Sequence, residues 1–326
     1  MDREAITFWN QCAQGVRDFF VQRQYLEVHT PCLSSTLIPE SSIEVFRTER
    51  NTHGKTFFLL PSPELQIKRL LAQHKCSVFE LAHAFRSTDS ATHIHNHEFT
   101  MLEYYTVGAT YTDSITITEK LFSHLADTLK TSPLFNPVGD DAFTKPFMQL
   151  TMDEAFERFA GFPLSAQKTK EVLLQKVMSL NIADESLIHS YTFQELYELV
   201  LVSIIEPALP KNRIVALLDY PAVSNTLSVQ KRVNTMPVTE RWECYLNGVE
   251  LANCYTEQTN PQMVEIFFKE ETEKRKKNGM LPIQAPSDFA KTCSQMPPCS
   301  GVALGFERLL MLLAGKKTID PFLIRS

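Results

Sequence analysis

The amino-acid sequence predicts an α+β fold in which helices flank an antiparallel β-sheet. Strand patterns adjoin one another through short connections, and helical patterns are segregated between these groups of strands, which favours α+β over a regularly alternating α/β fold. The pair Asn247-Gly248 joins two alternating segments, which is typical of a tight β-hairpin. A chain of 326 residues is long enough to bury a large hydrophobic core.

The first half of the chain carries one amphipathic helix followed by strands and further helices. The apolar stripe of the first helix consists of Ile6, Trp9, Ala13, Val16 and Phe20. A Ser-Pro-Glu sequence at 62–64 begins the second helix, since proline is favoured in a first helical turn. The predicted elements are a helix at 3–24, strands at 25–28 and 57–60, a helix from 62 to 74, strands at 78–86 and 98–107, and a helix at 111–130.

Residues 133–210 interrupt this pattern. The segment is mostly helical in character with proline-rich breaks, and we interpret it as an insertion within one domain spanning 1–326. The sheet is expected to resume after the insertion, and an apolar helix follows the last strand. The predicted elements are strands at 214–219 and 241–255, a helix at 261–278, a strand at 302–304 and a helix at 306–314.

The composition excludes several classes of function. A net charge of −6 gives no global field that would attract nucleic acid, so we do not expect tRNA binding. The basic run at 274–277 is most often a solvated helix end. The seven cysteines form no C-x-x-C pair, which indicates reduced thiols. Without an apolar run of spanning length or a signal sequence, we expect a cytoplasmic protein with no membrane partner.

Two carboxylates occupy the predicted hairpin at 241–255. A two-residue turn at Asn247-Gly248 places Glu243 and Glu250 on one face as diagonal neighbours, roughly 7–8 Å apart at the backbone. Two carboxylates at this separation can hold a hard cation such as Mg²⁺ between them. A solvated hairpin face explains the same pattern equally well.

A second group of polar side chains lies on the predicted strand at 98–107. One face of this strand carries Phe99, Met101, Glu103 and Tyr105. A buried glutamate requires a charged partner, so this face suits a pocket floor for an aromatic base and an ammonium group. Arg86 ends the preceding strand, and its guanidinium suits a phosphate or a carboxylate. A salt bridge within the sheet is the alternative for Glu103.

A glycine-rich turn precedes the last predicted helix. Gly301 and Gly305 permit close approach of a ligand to the backbone, and Arg308 lies in the first helical turn, where anions are favoured. The signal is weak by itself, because many buried helices begin in this way. The sequence contains no G-x-x-x-x-G-K-[ST] motif, which excludes a P-loop nucleotide fold.

Together these segments resemble the three signature motifs of class II aminoacyl-tRNA synthetases, specifically those of the lysyl-tRNA synthetase-like family. Tyr-Leu-Glu-Val-His-Thr-Pro at 25–31 resembles motif 1, residues 85–105 resemble motif 2, and Gly-Phe-Glu-Arg at 305–308 resembles motif 3. Ser-Pro-Glu at 62–64 and Glu-Leu-Ala-Asn at 250–253 match lysyl-type segments between them. The match runs in order from about residue 10 to 315 and is weakest in the 133–210 insertion.

The resemblance implies an enzyme that uses ATP and Mg²⁺ to activate lysine or (R)-β-lysine as its adenylate. Only 30 residues precede Pro31, which is too few for the anticodon-binding OB domain that lysyl-tRNA synthetases carry ahead of motif 1. Ala303 stands where those enzymes have glycine. Both features favour the branch of the family that attaches its amino acid to a lysine of elongation factor P. Motif 1 builds a dimer interface in this class, so a homodimer is implied.

The same resemblance implies roles for individual residues. Arg86 and Arg308 are implied to be catalytic. The residues implied to bind ATP are Arg86, Thr88, His95, Asn96, Phe99, Glu250, Leu251, Gly305 and Arg308. Those implied to bind the amino acid are Ser62, Glu64, Glu103, Tyr105, Asn253, Glu257 and Ala303. Glu243 and Glu250 are the implied ligands of Mg²⁺.

The chain departs from the family pattern at three places. Thr88 replaces the glutamate of the usual Arg-x-Glu in a motif 2 loop that is one residue longer, and Asp89 is the candidate substitute. His97 replaces a proline, and Cys254 replaces a glycine. Because Glu250 and Glu257 have opposite strand parity, a β-bulge must lie between them if both face the pocket.

Three alternatives to this interpretation stay open. An adenylating ligase of the same core could use another amino acid or acceptor, and a non-catalytic paralogue could bind amino acid or nucleotide as a sensor. A transition-metal site formed by His93, His95 and His97 is the least favoured, because these residues lie in a predicted loop.

Overall fold

An eight-stranded sheet forms the centre of the fold, and two small sheets of two and three strands accompany it. This computed structural model describes residues 1–49, 56–87, 92–139, 141–224, 226–233 and 236–324. The strands are β1 Leu26–Glu27, β2 Leu33–Ser34, β3 Arg47–Glu49, β4 Thr56–Leu59, β5 Val78–Phe85, β6 Glu98–Val107, β7 Met148–Thr151, β8 Val215–Leu218, β9 Gln230–Val233, β10 Met236–Thr239, β11 Arg241–Leu246, β12 Val249–Thr256 and β13 Cys299–Gly305.

Helices lie on both faces of this sheet. They are α1 Arg3–Val21, α2 Glu64–His74, α3 Tyr111–Leu129, α4 Met152–Ala160, α5 Lys170–Ser179, α6 Glu185–Ile188, α7 Phe193–Val200, α8 Glu206–Ala208, α9 Pro261–Lys277, α10 Phe289–Ser294 and α11 Phe306–Leu313. A π-helical turn at Leu201–Ile205 joins α7 to α8. Among the described residues, no helix is both long enough and apolar enough to cross a membrane.

The strand order of the large sheet is β1-β5-β6-β13-β12-β11-β8-β7. The pairs from β5 to β8 in this order are antiparallel, whereas β1 pairs parallel with β5 and β7 pairs parallel with β8. The predicted α+β fold with helices around an antiparallel sheet is therefore confirmed, with parallel strands added at both edges. The predicted helices are also confirmed, with ends that differ by no more than about three residues from those observed.

One face of the sheet packs against α1, α3 and α11. Alternate residues of the central strands point into this core, among them Tyr104, Trp242, Cys254 and Val302. The buried stripe of α1 includes Phe8, Cys12, Val16 and Phe19, whereas Ile6 of the predicted stripe is 44% exposed. A small rotation of a helix about its axis exchanges one apolar stripe for the next. The contacts of α1 with the sheet therefore decide which stripe is buried.

The opposite face is covered at its two ends and left open at its centre. Helices α4, α5 and α7 of the insertion pack on β8 and on Tyr245. Helix α2 and the segment around Met296 cover the side near Val78 and Tyr105. The open centre between these two layers contains a cavity that side chains from both layers line.

The segment at 133–210 contains the helices α4 to α8 and, in addition, one strand. Strand β7 lies within 133–210 and extends the large sheet beside β8, although the sequence pattern had shown no strand there. Strands β2, β3, β9 and β10 were also not predicted. All five contain four residues or fewer, and such short strands are defined by pairing with distant partners rather than by a local pattern.

Removal of the Phe20 side chain tests the core beneath α1. Phe20 is fully buried and contacts the rings of Tyr25, Phe79 and Tyr104. Phe20→Ala should lower the free energy of unfolding by about 3–5 kcal/mol, because it leaves a cavity among these rings. Val202→Ala is the matched control, since Val202 is 59% exposed and should change stability by less than about 0.5 kcal/mol. Urea denaturation of both variants provides the measurement, and equal effects would contradict this account of the core.

Candidate active site

A cavity of about 570 Å³ occupies the open centre of the sheet. It is lined by the predicted site residues Ser62, Glu64, Arg86, His95, Asn96, Phe99, Glu103, Tyr105, Glu243, Glu250, Leu251, Asn253, Glu257, Ala303, Gly305 and Arg308. Thr88 and Asp89 lie outside the described residues. The fold therefore brings together in one place side chains that the sequence distributes over about 250 positions.

A β-bulge in β12 allows this convergence. The hairpin pairs Leu246 with Val249 and Tyr245 with Glu250, and the register then shifts by one residue. After the shift, Asn253 and Glu257 line the cavity together with Glu250, although their strand parity differs from that of Glu250. The predicted bulge between Glu250 and Glu257 is thus present.

Cys254 does not form the bulge. It pairs in register with Trp242 on one side and with Val302 on the other, and its side chain is buried in the core on the opposite face. The extra residue of the bulge is Leu251. Cysteine in place of glycine is accommodated because the position is ordinary strand backbone that packs against apolar neighbours.

The two hairpin acids differ in environment. Glu243 accepts hydrogen bonds from the hydroxyls of Tyr220 at 2.7 Å and Tyr245 at 2.5 Å, and it forms an ion pair with Arg241. Burial opposes the charge of Glu243, but Arg241 and the two hydroxyls hold its pKa below the usual range. Burial, followed by repulsion from Glu243, raises the pKa of Glu250. A cation between the two carboxylates would remove this repulsion.

The donor set of this acid pair fits Mg²⁺. Magnesium in nucleotide sites is usually held by one or two carboxylates together with substrate phosphates and waters. Within the described residues, no group of three or more His, Cys, Asp or Glu side chains is arranged to hold a metal ion. Glu243 and Glu250 would therefore supply a pair of ligands rather than a complete cage.

Arg308 and Arg86 lie near the acid pair. The guanidinium of Arg308 donates to the carbonyl oxygen of Glu250 at 2.9 Å and lies 2.6 Å from Nε2 of His95. The guanidinium carbon of Arg86 is 5.5 Å from the ring centroid of Phe99. Nε of Arg86 is buried and has no hydrogen-bond partner among the described residues. An aromatic face suits the base of a nucleoside triphosphate, and two guanidinium groups suit its phosphates.

The other end of the cavity is rich in carboxylates. Glu103 accepts hydrogen bonds of 2.7 Å from the hydroxyls of Ser62 and Tyr105. Burial, followed by the nearby charge of Glu64, raises the pKa of Glu103 to about 8. Burial also raises the pKa of Glu257 to about 7. A positively charged ligand would favour the ionised form of these carboxyl groups and would therefore lower their pKa values.

Lys68 is a buried cation that the sequence interpretation missed. Its side chain is fully buried, and Nζ lies 2.5 Å from Oε1 of Glu64 and 2.6 Å from Oε2 of Glu257. Burial opposes the charge, but Glu257 and Glu64 raise the pKa of Lys68 well above its usual value. The i,i+4 spacing of Glu64 and Lys68 on α2 was the available signal. The two acids assigned to the substrate therefore already share an internal ammonium group.

Two small residues of β13 leave room for these side chains. A Cβ atom on Gly301 would lie 2.4 Å from Oε1 of Glu257 and 2.5 Å from Cε1 of Tyr105, so no side chain fits there. Ala303 lies between Glu103 and Asn253 in the sheet. At Gly305, by contrast, the nearest protein atom to an added Cβ is 3.4 Å away, in Arg308. The described protein atoms therefore leave room for a Cβ atom at 305.

Several further residues line the cavity without having been predicted. They are Glu40, Tyr220, Arg241 and Tyr255, together with Gln194, Tyr197, Glu198 and Leu201 of the insertion. The three histidines near residue 95 do not converge: Nδ1 of His97 lies 3.2 Å from the carbonyl oxygen of Arg86, whereas His95 contacts Arg308. The segment at 133–210 therefore forms a wall of the cavity and also covers one end of the sheet.

A large sheet with this cavity, two arginines and a pair of hairpin acids defines a protein of the class II synthetase type. The family described as tRNA synthetases class II (D, K and N) matches residues 2–323. The chain belongs to this family of ligases.

The individual relatives carry two kinds of name. A lysine--tRNA ligase of Methanoculleus marisnigri is 31% identical over 99% of this chain and 62% of its own length. The elongation factor P--(R)-beta-lysine ligase of Klebsiella pneumoniae is 33% identical over 93% of this chain and 89% of its own length. A homologue of that ligase in Aquifex aeolicus is 31% identical over 98% of both chains. The chain thus spans about 62% of the lysine--tRNA ligases that it matches.

Replacement of Lys68 by methionine tests its role as a counter-charge. Lys68→Met should destabilise the fold by about 3–5 kcal/mol at pH 7.5, because it leaves the buried carboxyl of Glu257 and the half-buried carboxyl of Glu64 without a cation. The pKa of Glu257, about 7 with Lys68 present, would stay raised in the folded protein, so the deficit should shrink as the pH falls and this carboxyl binds a proton. Denaturant unfolding at pH 5.5 and pH 7.5 measures this change. Arg69→Met is the control, since the ion pair of Arg69 with Asp288 is exposed. A deficit that does not depend on pH would contradict the assignment.

Proposed function

We propose that the protein uses ATP to activate lysine or (R)-β-lysine as an aminoacyl-adenylate and transfers it to a lysine side chain of elongation factor P. The observation that carries the proposal is a single cavity with two different ends. One end presents Arg86, Arg308 and the ring of Phe99, and the other presents Glu64, Glu103 and Glu257. A triphosphate and a diamino acid have the charges that match these two ends.

The proposed reaction has two steps. The carboxylate of the amino acid attacks the α-phosphorus of ATP and displaces pyrophosphate, and an acceptor amine then attacks the acyl carbon and releases AMP. Arg86 would contact the substrate carboxylate and the α-phosphate, and Arg308 the outer phosphates. Mg²⁺ held by Glu243 and Glu250 would neutralise phosphate charge. The protein contributes chiefly position and electrostatic stabilisation.

Adenine would stack on Phe99, with His95, Asn96, Leu251 and Gly305 around the nucleotide. At the other end, Ser62 and Tyr105 orient Glu103, and Glu64 and Glu257, which share Lys68, would bind ammonium groups of the substrate. Asn253 and Ala303 would border the amino acid. Thr88 belongs to the proposed nucleotide site by resemblance alone.

The names of relatives support the choice of amino acid and acceptor. Relatives named as elongation factor P--(R)-beta-lysine ligases match at 32–33% identity over 89% of their own length. The relatives named lysine--tRNA ligase support a substrate with the side chain of lysine. tRNA is not part of the proposed reaction.

We also propose that the chain acts as one catalytic domain, as a homodimer in the cytoplasm. Large apolar side chains are exposed next to the motif 1 segment, among them Val21 at 57%, Leu26 at 57% and Leu33 at 49%. A dimer contact over this surface would remove them from water. Sedimentation of the purified protein tests the dimer.

Pyrophosphate exchange tests the proposed activation step. The protein with Mg²⁺ and ATP should incorporate labelled pyrophosphate into ATP in the presence of lysine or (R)-β-lysine and not with leucine. Incubation with elongation factor P and ATP, followed by intact mass measurement, should show the mass of one added residue. Absence of exchange with any amino acid would support a sensor, whereas exchange without modification would point to another acceptor.

Replacement of Arg86 should stop adenylate formation. In Arg86→Ala, the exchange rate should fall by at least about a hundredfold, because a preorganised donor at the reacting phosphate is lost. The melting temperature should stay within a few degrees, since Nε of Arg86 bonds no described residue. Arg232→Ala, which replaces an exposed arginine of β9, is the matched control. Normal exchange in Arg86→Ala would refute the role.

Binding of the amino acid should release a proton. Because the pKa of Glu103 in the free site is about 8, the group is largely protonated at pH 7, and a cationic ligand favours its ionised form. The affinity for lysine should therefore rise with pH up to about 8, by at most tenfold per unit, and then level off. Titration calorimetry in two buffers of different ionisation enthalpy measures the released proton. Glu103→Gln should abolish the pH dependence attributed to this group, and unchanged proton release in that variant would contradict the assignment.

A further inference from the structure

Arg241 lines the cavity together with Arg86 and Arg308, but it has a different environment. Its guanidinium forms an ion pair with Oε1 of Glu243, and its Nε donates to Oδ1 of Asn253 at 3.2 Å. Glu243 and Asn253 are directly opposite each other in the pairing of β11 with β12. One guanidinium therefore joins an acid of the proposed metal pair to a residue of the proposed amino-acid site.

Two tyrosine rings lie next to this guanidinium. The guanidinium carbon of Arg241 is 4.5 Å from the ring centroid of Tyr220 and 5.6 Å from that of Tyr255. The hydroxyl of Tyr255 in turn accepts a hydrogen bond of 3.0 Å from the side-chain amide of Asn253. The side chain of Arg241 is only 15% exposed. Ring contacts and two polar bonds thus restrict Arg241 to one position, from which its charge acts on Glu243.

The partners of Glu243 already occupy most of its carboxylate. Its Oε2 accepts hydrogen bonds from the hydroxyls of Tyr220 and Tyr245, and its Oε1 pairs with Arg241. A carboxylate oxygen has two lone pairs, so both lone pairs of Oε2 are in use and one lone pair of Oε1 remains. A metal ion that binds Glu243 must therefore share Oε1 with the guanidinium of Arg241, and the two positive charges repel each other.

We propose that Arg241 is a positioning residue that makes metal binding at Glu243 and Glu250 depend on the nucleotide. In the free protein, Arg241 is the counter-charge of Glu243, and it opposes the binding of a bare divalent cation. A cation that arrives with a triphosphate also brings negative charge, which compensates for the repulsion by Arg241. The inference rests on the proposed function, because it assumes that a complex of metal and ATP is the substrate.

The substitution Arg241→Met tests this assignment, because it removes the charge and keeps much of the aliphatic side chain. Binding of Mn²⁺ alone, which prefers the same oxygen ligands as Mg²⁺, is measured by electron paramagnetic resonance at pH 8. The variant should bind Mn²⁺ about tenfold more tightly than the wild type, because the repulsion is lost. Its affinity for the complex of Mn²⁺ with a non-hydrolysable ATP analogue should not rise, since the phosphates already compensate for Arg241. A general loss of structure would instead weaken the binding of the bare metal.

Three further variants separate the charge of Arg241 from other effects. Arg241→Lys keeps a positive charge next to Glu243, so it should bind Mn²⁺ alone no more tightly than the wild type. Arg241→Gln is a second neutral variant that can still donate to Asn253, and it replaces the methionine variant if that protein does not fold. Arg232→Met is the matched control, because it removes an exposed arginine of β9 and should leave both affinities unaltered. Circular dichroism of each variant checks that the fold is retained.

The outcomes separate this inference from the proposed function. If the neutral variants bind Mn²⁺ alone as the wild type does or more weakly, the role of Arg241 is refuted, even where the wild type catalyses pyrophosphate exchange. An equal gain in Arg232→Met would show a general effect of net charge and would also refute it. If the wild type supports no exchange but the neutral variants bind Mn²⁺ more tightly, the ligase activity fails and the role of Arg241 at the metal pair stands. If the wild type binds no Mn²⁺ even with the ATP analogue, both fail.

Discussion

The register shift in β12 is the constraint on which the site depends. A regular strand would direct Glu250 and Glu257 to opposite faces of the sheet, because side chains alternate along a strand. The extra residue at Leu251 changes the parity, so Glu250 and Glu257, which contacts Lys68, both face one cavity. The same shift directs Cys254 into the apolar core. One inserted residue thus determines the chemistry of one face and the packing of the other.

Buried charges in this cavity are arranged in pairs that leave defined groups free. Arg241 and two tyrosine hydroxyls satisfy Glu243, whereas repulsion raises the pKa of the neighbouring Glu250. Lys68 likewise contacts both Glu64 and Glu257, and its positive charge cancels part of their negative charge. An uncompensated cluster of acids would be unstable in the interior, and a fully compensated one would not bind a cation. The observed arrangement lies between these limits.

Much of the site was predictable because its residues lie in short segments with recognisable order. The two-residue turn and the polar face of β6 follow from local spacing, and the structure places both as expected. Lys68 and Glu40 were missed for different reasons. The spacing of Lys68 and Glu64 is that of a common i,i+4 ion pair on a helix. The second contact of Lys68, with Glu257, is visible only in the folded structure. Glu40 lies in a loop without periodicity, so no local pattern indicated which way it faces.

The sequence by itself determined the fold class, the main helices, the hairpin register near its turn and part of the cavity lining. These depend on interactions between near neighbours, such as alternation along a strand and the geometry of a two-residue turn. Tertiary structure alone decided which stripe of α1 is buried, the short strands at the sheet edges, the position of the bulge and the burial of Lys68 between two acids. Each of these depends on contacts between residues far apart in the chain, and a local pattern carries no information about such partners.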